Sequence, residues 1–392
     1  MPATESELRA ASLAAARRRI FLLGSAIGLG LPALLWASGP ARATWAALAD
    51  LPAGLAASVF VLAFWIAMAL ATAPCAFYRG YVLQRRYGLA RQSARGWLVD
   101  WLKASALGLG LATLASLAFY WTVWSFGAHW WWTFGGLAVA ASVALTYVAP
   151  YVVLPIFFRP RPLERPEIVV AVKRLVDAAG TRVAAICSLD FSRRTAEANA
   201  AVIGVGKSRR VVLADTLLDG FTLPEIRAVV AHELGHHVHG DVPRLLALQA
   251  LIVLATLFAA SRLAEPALSW VGASGSLGEV ADFPLLAAVI EGWALALMPV
   301  LNAFSRAIEA SADRYAIYLT GDPVALAAAL RRLASQNLAE LSPPRWAELL
   351  LYSHPPISQR IRLAEQASGR TPSLSPCGPS GRGQGEGVSS HA

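Results

Sequence analysis

The stretch TLPEIRAVVAHELGHHVHGD, residues 222–241, joins a polar segment to an apolar one and contains four of the chain's seven histidines. It reads as a helix, because Thr222 is a candidate N-cap, Pro224 suits the first turn and apolar residues recur at helical spacing. On that helix His232 and His236 are four residues apart, so both imidazoles project from one face. Two neutral imidazoles at this spacing form a common zinc-binding arrangement.

The chain on both sides of this stretch is strongly apolar. It has 392 residues, of which 56% are hydrophobic and only 15% are charged, and this apolar excess is too large for an ordinary soluble domain. A membrane-spanning helix needs about 20 consecutive, mostly apolar residues. We therefore predict a mainly α, polytopic helical membrane protein with about six spans, in preference to a large soluble core of buried helices. The six stretches lie at about 20–38, 54–77, 104–124, 133–157, 244–262 and 284–305.

Basic residues are unevenly distributed between the connections of these spans. A cluster, Arg17 to Arg19, precedes the first span, and the second connection is rich in basic residues. Because an excess of Lys and Arg marks cytoplasmic loops, we expect both termini and the polar region 158–243 in the cytoplasm. The net charge of +9 then reflects topology and attraction to an anionic lipid bilayer, and we expect no nucleic acid partner. The basic residues of the second connection are Arg79, Arg85, Arg86, Arg91, Arg95 and Lys103.

The alternation of apolar and polar segments divides the chain into five parts. The first span also resembles a secretory signal with a small-residue cleavage site at 40–43, but its length favours a retained span. The tail is rich in Ser, Gly and Pro, and we expect it to be disordered. The parts are four N-terminal spans (1–157), a cytoplasmic insert with strands and the histidine helix (158–243), spans five and six (244–305), C-terminal helices (306–366) and the tail (367–392).

Glu233 completes an H-E-x-x-H pattern with the two histidines. Its carboxylate lies beside their face, where it can take a proton from a water molecule that zinc has acidified. Taken alone, the pattern fits a polar helix at the membrane surface about as well as a zinc site. His237 and His239 have no assigned role, and we expect them at the surface or beside the metal ligands.

A catalytic zinc site needs a third protein ligand. The class that continues the motif to a third histidine is excluded, because residues 239 and 242 are His and Val instead of the required Gly and His. A later stretch, FSRAIEASADRYAIYL (304–319), places Glu309 and Asp313 four residues apart on one helix face. We expect Glu309 to bind the metal and Asp313 to orient one of the histidines.

Four motifs occur in order along the chain. They are ANAAVIGVGKSRRVVLADTLL (198–218), HELGH (232–236), EASAD (309–313) and YSHPPISQR (352–360). Together they resemble the zinc metalloproteases of the CAAX prenyl protease 1 type, whose relatives include bacterial heat-shock membrane proteases. The resemblance covers most of the chain from about residue 80 to 366. It implies an integral membrane zinc endopeptidase that acts on peptides or proteins.

The resemblance also implies roles in catalysis and metal binding. His232, His236 and Glu309 match the ligands of one Zn²⁺ ion, and Glu233 matches the general base. His354 resembles a late histidine of the family that helps to hold the substrate carbonyl and its developing oxyanion. A fixed donor aimed at forming charge is a large catalytic contribution.

Further matches concern the substrate and the support of the ligands. Asn199 matches a residue that contacts the substrate backbone. The stretch RRVVLAD (209–215) is expected to be an edge strand that aligns an extended peptide through main-chain hydrogen bonds. Arg360 matches a family arginine, and we expect it to pair with Asp313.

Two departures from the family pattern bear on the substrate. His237 stands where eukaryotic prenyl proteases usually carry Trp, and six spans are predicted in place of seven. Arg greatly outnumbers Lys, which indicates a GC-rich bacterial genome, so we expect a bacterial inner membrane protein with its active site towards the cytoplasm. CAAX-like cleavage and membrane-protein quality control are both candidate activities, and the second is more economical in a bacterium. The alternative is a non-catalytic membrane scaffold or transporter with a vestigial zinc site.

Overall fold

Helices dominate the computed structural model, which describes residues 4–204 and 206–369. The six predicted spans all fall, to within one residue, inside long apolar helical segments. The predicted class, a mainly helical membrane protein with a small sheet, is confirmed. Within the described residues, five segments are long and apolar enough to cross a membrane: Glu5–Ala37, Ala53–Arg86, Ala94–Phe157, Asp241–Trp270 and Val280–Thr320.

The N-terminal part contains six helices. They are α1 (Glu5–Ala37), α2 (Pro40–Ala46), α3 (Ala53–Phe77), α4 (Leu83–Arg86), α5 (Ala94–Phe126) and α6 (Trp130–Phe157). A 3₁₀ turn, Gly127–His129, joins α5 to α6. These two helices run antiparallel, because Lys103 Nζ near the start of α5 lies 3.5 Å from the carbonyl oxygen of Ile156 near the end of α6. The 64-residue segment Ala94–Phe157 is therefore a helical hairpin that holds two of the six predicted spans.

A polar insert follows α6 and contains the sheet. Its elements are β1 (Arg161–Pro162), α7 (Pro166–Ala178), β2 (Ala185–Leu189), β3 (Ala200–Ile203), β4 (Arg210–Ala214), α8 (Asp215–Gly220) and α9 (Leu223–His239). The strand order is β1-β2-β4-β3, with β2 and β4 parallel and the other two pairs antiparallel. Helix α7 is amphipathic, and its apolar face packs with β4 and α9 in one core.

The prediction that residues 209–215 form an edge strand is wrong. Strand β4 lies inside the sheet, between β2 and β3, and four of its five residues, Val211 to Ala214, are buried. Such a continuous apolar run is typical of a strand that is covered on both faces. The terminal strand on this side of the sheet is β3, Ala200–Ile203, which follows Asn199 directly.

The C-terminal part begins with two long helices, and the residues predicted as metal ligands lie where they meet the insert. Helix α10 (Asp241–Trp270) starts directly after α9, and α11 (Phe283–Thr320) packs against both α1 and α9. The expected division at 305/306 falls inside α11, which is one continuous helix. Of the tail predicted over 367–392, residues from 370 onward lie outside the described chain. The last helices are α12 (Pro323–Gln336), α13 (Arg345–Leu351) and α14 (Ile357–Ser368).

Candidate metal centre

Helix α9, which carries the H-E-x-x-H residues, has clear signals at both ends. Thr222 and Glu225 form a reciprocal capping box, in which Thr222 N donates to Glu225 Oε2 at 2.7 Å, and Pro224 occupies the first turn. Gly240 ends the helix with a φ of +67°, a left-handed conformation that favours glycine. Because α10 begins at the next residue, this turn brings Asp241 back beside the last turn of α9.

The two histidines of the motif face the same point. Their Nε2 atoms lie 3.2 Å apart, and the ring planes are nearly perpendicular. Helix α9 buries its opposite face, with Ile226, Val230 and Leu234 in the core of the insert. The helix is thus fixed by its apolar side, and the orientation of His232 and His236 follows from their spacing.

Glu309 on α11 reaches the two histidines from the facing helix. Its Oε2 lies 3.3 Å from His232 Nε2, and its Oε1 lies 3.5 Å from His236 Nε2. The close approach of the helices depends on Gly235, because a Cβ at that position would lie only 3.3 Å from the Cα of Ala312. His232, His236 and Glu309, called here the candidate ligand group, offer three donor atoms within 4.8 Å of one another.

Carboxylates hold the outer nitrogens of both histidines. Asp313 Oδ1 lies 3.0 Å from His232 Nδ1, and Asp241 Oδ2 lies 2.9 Å from His236 Nδ1. Each carboxylate accepts a hydrogen bond from the Nδ1–H group, which leaves the Nε2 lone pair directed at the centre. The predicted pairing of Arg360 with Asp313 is present, since two guanidinium nitrogens donate to the carboxylate at 2.7 Å each. Asp241 was not predicted from the sequence.

The donor set fits a divalent cation. Glu309 Oε2 is buried and accepts no hydrogen bond from the described residues, which is a costly state for a carboxylate oxygen unless a cation binds it. Burial lowers the pKa of His232, but its contacts with Asp313 and Glu309 outweigh that effect and raise the pKa to about 9. The negative potential that favours a proton on this imidazole also favours a metal ion. Two imidazoles and one carboxylate are a typical catalytic zinc ligand set.

Glu233 lies next to this group on α9. Burial raises the pKa of its carboxyl above the ordinary value, and the neighbouring His232 and His236 oppose that shift. A carboxylate whose pKa is moved towards neutrality is suited to accept a proton and return it within one reaction cycle.

His354 approaches the group from a loop between α13 and α14. Its Nε2 lies 3.2 Å from Glu309 Oε1, and 59% of its side chain is exposed. Tyr352, two residues earlier, anchors the loop: its carbonyl oxygen accepts a bond of 2.7 Å from Arg306, and its hydroxyl donates to Glu340 at 2.9 Å. Arg18 of α1 donates to both Glu340 and the Tyr352 hydroxyl.

Asn199 is exposed and precedes the terminal strand β3. Its Oδ1 accepts a bond from Ala200 N at 2.9 Å, while its own carbonyl oxygen accepts a bond from Ala214 N of β4. His237 lies 2.8 Å from the carbonyl oxygen of Val202 through its Nε2 and so ties α9 to β3. The sequence assigned no role to His237, and the structure shows that it connects these two elements. His239 lies 3.3 Å from Ser311 Oγ through its Nδ1.

Two family models match the chain. Residues 162–368, which contain the whole candidate ligand group, match the model described as peptidase family M48. The chain belongs to peptidase family M48. Residues 5–159 match the model described as the CAAX prenyl protease N-terminal region with five membrane helices. This M48 protein is therefore a metalloprotease with an integral membrane part, and it acts on peptide or protein substrates.

Named relatives agree with that assignment. The M48 chain is 29% identical over 310 residues to the uncharacterized metalloprotease YhfN of Bacillus subtilis, covering 78% of this chain and 72% of the relative. It is 26% identical over 313 residues to CAAX prenyl protease 1 of Saccharomyces cerevisiae, covering 75% and 69%. The crystal structure of Ste24p from S. mikatae shares the fold, with a TM-score of 0.81 at 20% identity over 92% of this chain and 89% of that one.

Proposed function

We propose that this M48 metalloprotease is a zinc endopeptidase of the membrane, with its centre at the candidate ligand group. The observation that carries the proposal is the convergence of His232, His236 and Glu309, with a buried Glu309 oxygen that accepts no hydrogen bond from the part of the chain that the structure describes. A zinc ion held there would polarise the scissile carbonyl and make water more acidic. Asp241, Asp313 and Arg360 hold the ligands in place.

Glu233 is the proposed general base. Its carboxylate accepts a proton from the attacking water, and the resulting carboxylic acid returns that proton to the leaving amine. The raised pKa of Glu233 favours both halves of this cycle. His354, held on its loop beside Glu309, is proposed to donate to the oxygen of the scissile carbonyl as negative charge develops there.

The proposed substrate is an extended peptide that lies along β3. This strand is one of the two terminal strands of the sheet, and Asn199 precedes it as an exposed amide. An extended chain added beside β3 would be aligned by main-chain hydrogen bonds. His237 joins β3 to α9. We therefore propose β3 as the peptide-binding strand, in place of residues 209–215.

The physiological role is proposed from the location of the centre and the relatives. The insert joins directly to membrane helices, so membrane-associated proteins are the substrates that reach it most readily. One relative is named a CAAX prenyl protease, which makes CAAX-like cleavage a candidate. We favour membrane-protein quality control, in a bacterial inner membrane with the centre facing the cytoplasm, because of the arginine-rich composition and the basic connections.

Two variants test the proposal on detergent-purified full-length protein. Glu309→Ala should lose the near-stoichiometric zinc of the wild type. Glu233→Gln should retain zinc but lose at least about a hundredfold of the casein-hydrolysing activity. Glu167→Gln, an exposed carboxylate on α7, is the matched control. Wild-type protein that binds no zinc after metal-replete purification would refute the zinc centre and favour a non-catalytic scaffold.

A further inference from the structure

A polar cavity lies away from the candidate ligand group, at the open end of the α5–α6 hairpin where it meets the insert. Its volume is about 710 Å³, within the range of cavities that bind small molecules. The first turns of α5, the last turn of α6 and the loop at 190–194 of the insert form its walls. No residue of the proposed catalytic machinery lines it.

The cavity carries a strong excess of positive charge. Six of its lining residues are basic and two are acidic. Both acids are already paired, Asp100 with Arg194 at 2.8 Å and Asp190 with Arg193 at 3.1 Å. The four remaining cations make no ion pair with any carboxylate of the described residues. They are Arg91, Arg95, Lys103 and Arg159.

These four cations come from three separate parts of the fold. Arg91 lies before α5, Arg95 and Lys103 lie on its first turns, and Arg159 follows α6. Folding therefore gathers like charges around one space, which is unfavourable unless an anion binds among them. A phosphate group accepts several charge-assisted hydrogen bonds at once and matches such a cluster.

One side of the cavity is apolar and continues onto the exposed apolar surface of the hairpin. Val99 and Ile156 line the cavity and are 45% and 42% exposed. Next to them Leu98 and Leu102 of α5 are also exposed. A ligand with a phosphate in the cavity would thus extend its other end along apolar helix surface that faces acyl chains.

We propose that this cavity binds the headgroup of an anionic phospholipid. The four cations recognise the negative charge of the phosphate, which no headgroup cation offsets in an anionic lipid, and the apolar wall receives the glycerol and the start of the acyl chains. Basic cavities at the ends of transmembrane helices are suited to this class of ligand. A soluble phosphate ester shares the charge recognition but would gain nothing from the apolar wall.

Native mass spectrometry of the delipidated full-length protein tests this assignment. Wild-type protein is titrated with dioleoylphosphatidylglycerol and, in parallel, with dioleoylphosphatidylcholine. We expect one tightly bound phosphatidylglycerol per chain and binding at least about tenfold weaker for phosphatidylcholine. The double variant Arg95→Gln with Lys103→Gln should weaken phosphatidylglycerol binding by at least about tenfold.

The matched control removes two charges at the same end of the membrane part. Arg85→Gln with Arg86→Gln changes exposed residues of α4 outside the cavity and should leave lipid binding unchanged. Equal weakening by both double variants would overturn the proposal in favour of diffuse surface charge. Equal binding of the two lipids to the wild-type protein would also overturn the proposal. This comparison does not depend on the folding of any variant. Inorganic phosphate that binds the delipidated protein and displaces phosphatidylglycerol at millimolar concentration would assign the cavity to a soluble phosphate ligand instead.

Discussion

Single residues outside the motif set the orientation of the two histidines in the candidate ligand group. Asp241 and Asp313 each hold the Nδ1 of one histidine, so both imidazoles present Nε2 to Glu309. Asp313 is supported by two hydrogen bonds from Arg360, whereas the Oδ1 atom of buried Asp241 accepts no hydrogen bond from the described residues and lies 3.6 Å from Arg244. The position of Asp241 follows from the left-handed turn at Gly240, which a helical pattern does not reveal.

Asp241→Asn tests the support of His236. The amide keeps the shape of the carboxylate but removes its charge, so His236 becomes a less basic and less well oriented ligand. We expect zinc affinity to fall by about 10- to 100-fold, as measured by competition with a chelator. Asp219→Asn, on the exposed end of α8, is the control and should leave the affinity unchanged. Unchanged affinity in the Asp241 variant would mean that the contact with His236 has no effect on the metal.

At the scale of elements, the start of α9 is set by an ion pair as well as a cap. Glu225 accepts bonds from Thr222 and from Arg332 of α12. Burial raises the pKa of Glu225, but these partners outweigh it, and the net pKa lies below the ordinary value. A carboxyl whose pKa is lower in the folded protein than in the unfolded chain stabilises the fold fully above the unfolded pKa. That contribution is lost as the pH falls through the folded pKa.

Glu225→Gln should therefore destabilise the protein in a pH-dependent way. We expect a loss of about 1 kcal/mol at pH 7, seen as a lower thermal midpoint. The difference from wild type should shrink as the pH falls below about 4.3, the pKa of an unfolded-chain glutamate. Glu167→Gln in the first turn of α7 should show no such difference at either pH. A difference that stays constant with pH would contradict the assigned ionisation.

The N-terminal helix contacts segments beside the candidate ligand group through Arg17 and Arg18. From the sequence, these arginines indicated only the membrane topology. Arg18 binds Glu340 and Tyr352, two residues before His354, and Arg17 lies 3.2 Å from Glu197, two residues before Asn199. Helix α1 thus contacts the segments that carry both proposed substrate-contacting side chains.

Arg18→Ala should change turnover more than substrate affinity. Loss of its contacts loosens the loop that positions His354, so kcat per bound zinc should fall by on the order of tenfold or more, with KM nearly unchanged. A purely structural role would lower the amount of folded, zinc-loaded protein and leave kcat per zinc intact. Arg19→Ala is the control, because Arg19 is exposed, and it should behave as wild type.

For the whole molecule, patterns of local origin were predictable from the sequence and contacts between distant segments were not. The six apolar stretches indicated the membrane helices, and the spacing of His232 and His236 placed both on one face of α9. The order of strands depends on pairing across the insert, so the buried run of β4 was mistaken for an edge. The cavity lined by basic residues likewise forms only when α5, α6 and residues 190–194 come together.

The orientation of the whole molecule gives the last prediction. In the N-terminal half of α1, Arg17 pairs with Glu197 of the insert and Arg18 pairs with Glu340 of the C-terminal part. Trp36 near the other end of α1 donates to Asp282 before α11. We therefore predict that the connection after α1 lies on the side of the membrane opposite to the candidate ligand group. With the basic connections in the cytoplasm, that connection should be outside the cell.

Cysteine labelling measures this orientation directly. In a cysteine-free background, Asp50→Cys and Asp177→Cys each place one thiol at an exposed aspartate, the first after α1 and the second on α7. A membrane-impermeant maleimide should label the Asp50 variant in right-side-out vesicles and the Asp177 variant only in inside-out vesicles. The reverse pattern would place the metal centre outside the cytoplasm. Substrates would then have to come from the extracytoplasmic side, and cytoplasmic quality control would be ruled out.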